Sequence, residues 1–180
     1  LWICTRNQVS HYNSDYSLKK RYGNLIPAVP NNGINSIYED HFGNIWVCTW
    51  GGGLYKYLKN TDTFMSFPTL GANNNPFKIF QDKDDQYWIL TWGDGIYRFH
   101  PDATEDKMYT HQEIFNEKLH QPETAFFSVV QDDVYGYIWI FGYHELYALK
   151  VADGHLEKVD LSSYMFDYNK MFSQIIKDRE

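Results

Sequence analysis

Apolar and polar positions in this chain form a repeating phrase. A short apolar strand runs into an Asp, a tight turn follows, and a Trp-led apolar strand leaves it. Residues 37–40 (Ile-Tyr-Glu-Asp) lead to 45–49 (Ile-Trp-Val-Cys-Thr), and residues 79–82 lead to 87–91. Residues 130–133 lead to 138–141, and Asp133 is read as the partner of Trp139, so that Asp to Trp is six residues each time. Residues 1–5 carry the Trp strand alone, and residues 175–178 carry the Asp-ended beginning alone. Asp40, Asp82, Asp133 and Asp178 are therefore spaced by 42, 51 and 45 residues. A period in this range marks stacked supersecondary units. The half-units at both ends lead us to expect a piece of a longer array.

Within the best unit the periodicity predicts four strands. Residues 34–38 form the first, A. Asp40 to Asn44 make a turn that places Gly and Asn where positive φ is needed. Residues 45–49 are apolar on both faces and form the buried strand B. Residues 54–57 alternate as strand C, and residues 63–67 form strand D. The second unit places its strands at 77–80, 87–91, 95–99 and 107–111, and the third at 126–130, 137–141, 145–149 and 155–160. Residues 8–12 and 18–22 complete the unit begun by Trp2. The longer middle interval leaves room for a short helix over 112–119. Four short antiparallel strands per unit make a propeller blade. The expected fold is an all-β propeller of about four blades, a fragment of a seven-bladed or double propeller. The blades divide as 1–22, 34–67, 76–111 and 125–160, with 171–180 opening another. Trp2, Trp46, Trp88 and Trp139 are expected in the core between blades. Each A-strand Asp is expected to cap its turn by accepting backbone N–H groups.

Composition narrows the function. Aromatic residues reach 18%, which suits half-buried sheet faces. The formal net charge of -7 argues against a duplex nucleic-acid partner, which needs a basic footprint. No stretch approaches the roughly 18 apolar residues that a membrane helix requires. Cys4 and Cys48 both stand two residues after a repeat Trp. On separate sheets about 10 Å apart they lie beyond disulfide reach, and two thiols do not fill a zinc site. The seven histidines show no metal-ligand spacing, and no nucleophile elbow, phosphate loop or dinucleotide fingerprint occurs. No catalytic residue, cofactor or metal is expected.

The stretch Ser36-Ile37-Tyr38-Glu39-Asp40-His41-Phe42-Gly43-Asn44-Ile45-Trp46-Val47-Cys48-Thr49-Trp50-Gly51-Gly52-Gly53-Leu54-Tyr55 resembles the two-component regulator propeller repeat. Residues 82–97 resemble it closely as well. Residues 133–147 are a looser copy that lacks the Thr and the Gly-rich run. The resemblance implies a sensor: the periplasmic part of a hybrid regulator in Bacteroidetes-like bacteria, followed by an immunoglobulin-like domain, a membrane span and a histidine kinase. It implies glycan sensing, with the remaining blades and downstream domains as partners and the membrane reached only through the parent protein. A second copy of the chain is a further candidate partner. A protein-interaction scaffold is the rival reading, and a propeller lyase or glycosidase stands behind it.

The candidate site follows from blade geometry. The fourth residue after each repeat Trp opens the B–C turn, and it is Arg6, Trp50, Trp92 or Tyr143. These would form a rim of platforms for sugar rings, with Arg6 taking a carboxylate or sulfate. The competing reading has the aromatics covering the blade tops. Asp94 and His144 share the zone as hydrogen-bonding candidates.

Overall fold

The computed structural model describes residues 1–23, 33–67, 75–92, 96–99, 126–142, 146–153 and 155–161. Among them the chain forms strands and turns only, in four antiparallel sheets. The first holds β1 (Trp2–Thr5), β2 (Gln8–Tyr12) and β3 (Leu18–Gly23). The second holds β4 (Ile34–Glu39), β5 (Ile45–Thr49), β6 (Gly53–Leu58) and β7 (Thr63–Ser66). The third holds β8 (Pro76–Gln81), β9 (Tyr87–Thr91) and β10 (Ile96–Phe99). The fourth holds β11 (Phe126–Asp132), β12 (Tyr137–Gly142), β13 (Leu146–Lys150) and β14 (Leu156–Lys158). Each sheet is an up-and-down meander. The strand and helix expected at 107–111 and 112–119, and the first strand of a further blade expected at 171–180, lie outside the described residues.

Period-two alternation explains why the sheets stack. Strands β5 and β9 are buried at every position. Trp46 and Cys48 point to the third sheet and join Ile79, Tyr87 and Ile89, while Val47 points back to Val9 and Tyr22 of the first. Trp88 and Leu90 repeat this one blade on, against Ile138, Ile140, Tyr147 and Leu149. A B strand thus fills two interfaces at once, which a lone four-stranded sheet has no means to do. The innermost strands β4, β8 and β11 are successive neighbours, as A strands around a propeller axis are. Each begins with a register shift against its B strand, at Ile34/Ser36, Pro76/Lys78 and Phe126/Ser128.

Two expectations about the tryptophans are corrected. Trp46 and Trp88 are 2% and 1% exposed, but Trp2 and Trp139 are only half-buried. Each repeat Trp faces the following blade. Trp139 faces beyond β11–β14, and no described sheet follows there. Trp2 meets Tyr57 and Phe64 of the second blade at ring-centroid distances of 4.9 and 6.1 Å, and among the described residues its sheet holds three strands, with none paired on the open edge of β1.

The capping aspartate of the fourth sheet is also corrected. Strand β11 continues through Asp132, and Asp132 Oδ1 accepts the Val134 amide at 3.0 Å. Asp133 is exposed in the turn. Val130 faces Trp139, whereas Tyr38 faces Trp46 and Phe80 faces Trp88. This turn is one residue longer than the others, so Asp-to-Trp spacing there is seven, measured from the functional cap.

Candidate functional site

Chain direction puts the A–B and C–D turns at one end of each blade and the B–C turns at the other. The B–C end carries the predicted rim, and its backbone is tied across blades. The Arg6 carbonyl accepts the Ile34 amide at 2.6 Å. The Gly33 carbonyl accepts the Trp50 amide at 2.8 Å, and the Asn75 carbonyl accepts the Trp92 amide at 2.9 Å. Asn75 also reaches back one blade, its Oδ1 accepting the Gly51 amide at 2.5 Å. Arg6, Gly33, Trp50, Asn75 and Trp92 form one continuous row over three sheets. Gly33 and Arg6 lie close: a Cβ at Gly33 would meet Arg6 Cγ at 3.3 Å, so the Arg6 side chain would have to shift by a few tenths of an ångström.

In this row Trp50 and Trp92 touch, with ring centroids 5.4 Å apart and planes at 69°. Trp50 remains 40% exposed, and Trp92 is half-buried beneath that edge. Arg6 is exposed, and its guanidinium makes no hydrogen bond or ion pair with a described residue. The row therefore offers one part-exposed indole and a cation whose donors are unused among the described residues, groups that can stack on a sugar ring and fork a carboxylate. Tyr143, Asp94 and His144 lie outside the described residues. Asn75 and Gly33 were not singled out from sequence, although Asn before Pro at a strand start is a readable turn signal.

The A–B end holds a second polar network. Asp40 Oδ1 accepts the Phe42 and Asn44 amides at 3.0 and 2.8 Å, as a turn cap does. Oδ2 accepts Asn44 Nδ2 at 2.9 Å, the Trp46 indole at 2.8 Å, and from the next blade the Tyr87 hydroxyl at 2.5 Å. Burial alone would raise the Asp40 pKa. The donors from Tyr87, Trp46 and Asn44 outweigh it and hold the carboxyl below its usual range. Burial and the same bond push the Tyr87 hydroxyl well above the tyrosine range. With roughly four acceptor sites on a carboxylate, Asp40 is saturated, and its role is to fasten blades. Asp82 repeats the pattern with the Asp84 and Gln86 amides and the Trp88 indole.

The neighbouring turn completes the seam. Gln81 Oε1 accepts the His41 amide at 2.7 Å, and its Nε2 donates to Asp85 at 3.0 Å. Gly43 turns at φ 71, and Asp85 takes the matching place in the next blade at φ 60, which Asp tolerates better than most residues. There its side chain meets His41 Nδ1 at 3.2 Å. Among the described residues no three His, Cys, Asp or Glu side chains gather as a metal site. Both cysteines are free, and burial pushes the Cys48 thiol up to about 12.

Comparison with known proteins matches residues 28–51 to the family model described as two component regulator propeller. No curated protein sequence matches the chain. The structure is similar to the extracellular domain of the putative hybrid two component system BT4673 from B. thetaiotaomicron. The TM-score is 0.77 at 19% identity, over 99% of this chain and 23% of that one. The corresponding domain of BT3049 from the same organism gives 0.65 at 19%, over 88% and 19%. Virginiamycin B lyase from Staphylococcus aureus gives 0.65 at 13%, over 86% and 48%. The chain thus spans about a quarter of the BT4673 domain, and at these identities the likeness speaks for the fold. Among the described residues no helix is long and apolar enough to cross a membrane. Four stacked antiparallel sheets with aligned inner strands, and the phrase around Asp40 and Trp46, lead to one conclusion: the chain is a segment of a β-propeller, and its residues 28–51 carry the two component regulator propeller repeat.

Proposed function

We propose that this segment belongs to the periplasmic ligand-sensing propeller of a hybrid two-component regulator, and that it binds an oligosaccharide on the B–C face. The observation that carries the reading is the part-exposed Trp50, in edge contact with Trp92 and in one backbone row with Arg6, which pairs with no described residue. The repeat match and the likeness to extracellular domains of hybrid systems support the sensor class. In this reading the segment does no chemistry. Ligand binding biases the packing of the propeller on its neighbours, and that bias is passed to a histidine kinase across the membrane.

The edge contact between Trp50 and Trp92 also favours a second reading, in which the aromatics close the blade tops and meet a protein partner. Tryptophan fluorescence titrated with a glycan panel separates the two. A saturable response that Trp92→Ala abolishes supports the sensor. A silent panel, or binding unchanged in Trp92→Ala, removes the rim as the sugar site. The sequence of the parent protein tests the class directly, since a sensor requires a downstream membrane span and kinase.

A further inference from the structure

Lys78 occupies a position that the other blades give to serine. In the three complete A–B pairings, Ser36 faces Cys48, Lys78 faces Leu90 and Ser128 faces Phe141, each immediately after the register shift. Ser36 uses its hydroxyl to bond the Phe77 carbonyl of the next inner strand at 2.9 Å, and Ser128 is 2% exposed. These serines are seam residues. Lys78 lies on the face of β8 that also carries Phe80, and Phe80 packs in the cluster toward the fourth sheet. A four-carbon stem here reaches further than a serine hydroxyl does.

Among the described residues no side chain pairs with its ammonium. Lys78 is half-buried, and it makes no hydrogen bond or ion pair with a described residue. On the other side of β8 the polar side chains of the second blade are engaged: Asn35 Nδ2 donates to the Pro76 carbonyl at 2.9 Å, and Ser36 to that of Phe77. Burial pushes the Lys78 amine below the usual lysine range, and no carboxylate pulls it back. Yet the nitrogen is not sealed in, because His11 Nδ1 is the fully buried side-chain atom without a partner among the described residues. Lys78 is the third residue of β8 and follows Asn75 of the Trp50–Trp92 row by three, so it stands in the half of the inner strand nearer the B–C end. A cation on an inner strand of an acidic chain, with its donors unused and open to solvent, is disposed to take an anion from outside.

We propose that Lys78 is the charge anchor of an oxyanion site at the inner end of the B–C face, taking the carboxylate or sulfate of an acidic sugar. The sugar half of this statement rests on the proposed function, whereas the oxyanion half stands on Lys78 itself. The site pairs a point charge at the inner strand with the aromatic and guanidinium groups of the rim.

The test uses the full chain with its lysines reductively methylated with carbon-13, a change that preserves their charge. The Lys78 signal is assigned by its loss in Lys78→Arg. Probes are glucuronate, glucose 6-sulfate, glucose, and sodium chloride at matched ionic strength. The Lys78 signal is expected to shift saturably with glucuronate or the sulfated sugar, and the stronger of the two names the oxyanion. Lys78→Met keeps the stem and should weaken that binding about tenfold to a hundredfold, as loss of a charged hydrogen bond does. Lys78→Arg should retain most of it. A Lys78 signal unmoved by both acidic sugars, or moved equally by sodium chloride, overturns the proposal and leaves a lysine that only covers apolar surface. If acidic sugars move Lys78 while Trp50→Ala and Trp92→Ala bind them undiminished, the anion site stands and the aromatic reading falls. If a neutral glycan changes tryptophan fluorescence and Lys78 ignores every acidic probe, the reverse holds.

Discussion

The indole nitrogen of Trp46 donates to Asp40 Oδ2 at 2.8 Å, and that bond explains the spacing of the repeat. Asp40 ends its strand, caps the turn, and receives the ring that the next strand brings back beside it. One carboxylate thereby sets the turn length, the Trp rotamer and the wedge that the Trp drives into the next blade. A charge-assisted bond of this kind is worth about 1.5 to 3 kcal/mol. Trp46→Phe keeps most of the apolar area and should cost about that much. Asp40→Ala should cost more, because it strands several buried donors. In urea titrations the double variant should fall short of the sum, and additivity within about 0.5 kcal/mol would argue against direct coupling.

Core and rim tryptophans should separate in stability. Trp46 is 2% exposed and fills the seam against Ile79, Tyr87 and Ile89, so Trp46→Ala should cost about 3 to 5 kcal/mol. Trp50 is 40% exposed, and Trp50→Ala should cost about 1 kcal/mol or less. Half-buried Trp139 should fall between them. Equal denaturant midpoints for the first two variants would contradict the assignment of seam and rim.

Acid should loosen the seam between the second and third blades. The folded pKa of Asp40 lies below its ordinary value of 3.8, so the unfolded chain binds the proton first. Its contribution is complete above the unfolded pKa and is lost as pH falls through the folded one. Urea midpoints measured downward from about pH 6 should decline below about pH 4. The Asp40→Asn variant should begin less stable and decline less steeply. Parallel curves would place the acid sensitivity on other carboxylates.

The two thiols should differ in reactivity. Cys48 is fully buried with its pKa at about 12, whereas Cys4 is half-buried with a smaller upward push from desolvation. A disulfide reagent near neutral pH should label Cys4 slowly and leave Cys48 untouched until urea unfolds the chain. Rapid labelling of both in the native protein would mean that the seam around β5 opens readily.

Local chemistry was enough to read the strands, because sheet alternation and Gly–Asp turns act within a few residues. The bounds of β2, β5 and β9 agree with the period-two reading residue for residue. The fixed Asp-to-Trp interval was visible as a number, but its cause was not: the indole bond and the Tyr87 hydroxyl from the next blade are contacts made in space. The Asp133 assignment erred for the same reason. Two adjacent aspartates offer two registers, and only the pairing of Val130 with Trp139 chooses Asp132. Trp2 and Trp139 share the motif of Trp46 and Trp88, yet burial depends on what stands opposite, which a motif does not carry. Lys78 looked like an ordinary strand lysine in the sequence. Its register beside Ser36 and Ser128, and the absence of a described partner, emerge once the inner strands are set side by side. Alternation and turn propensity are properties of neighbours along the chain, and the sequence alone decided them. Burial, register across blades and the company a charge keeps are properties of neighbours in space, and the tertiary structure decided those.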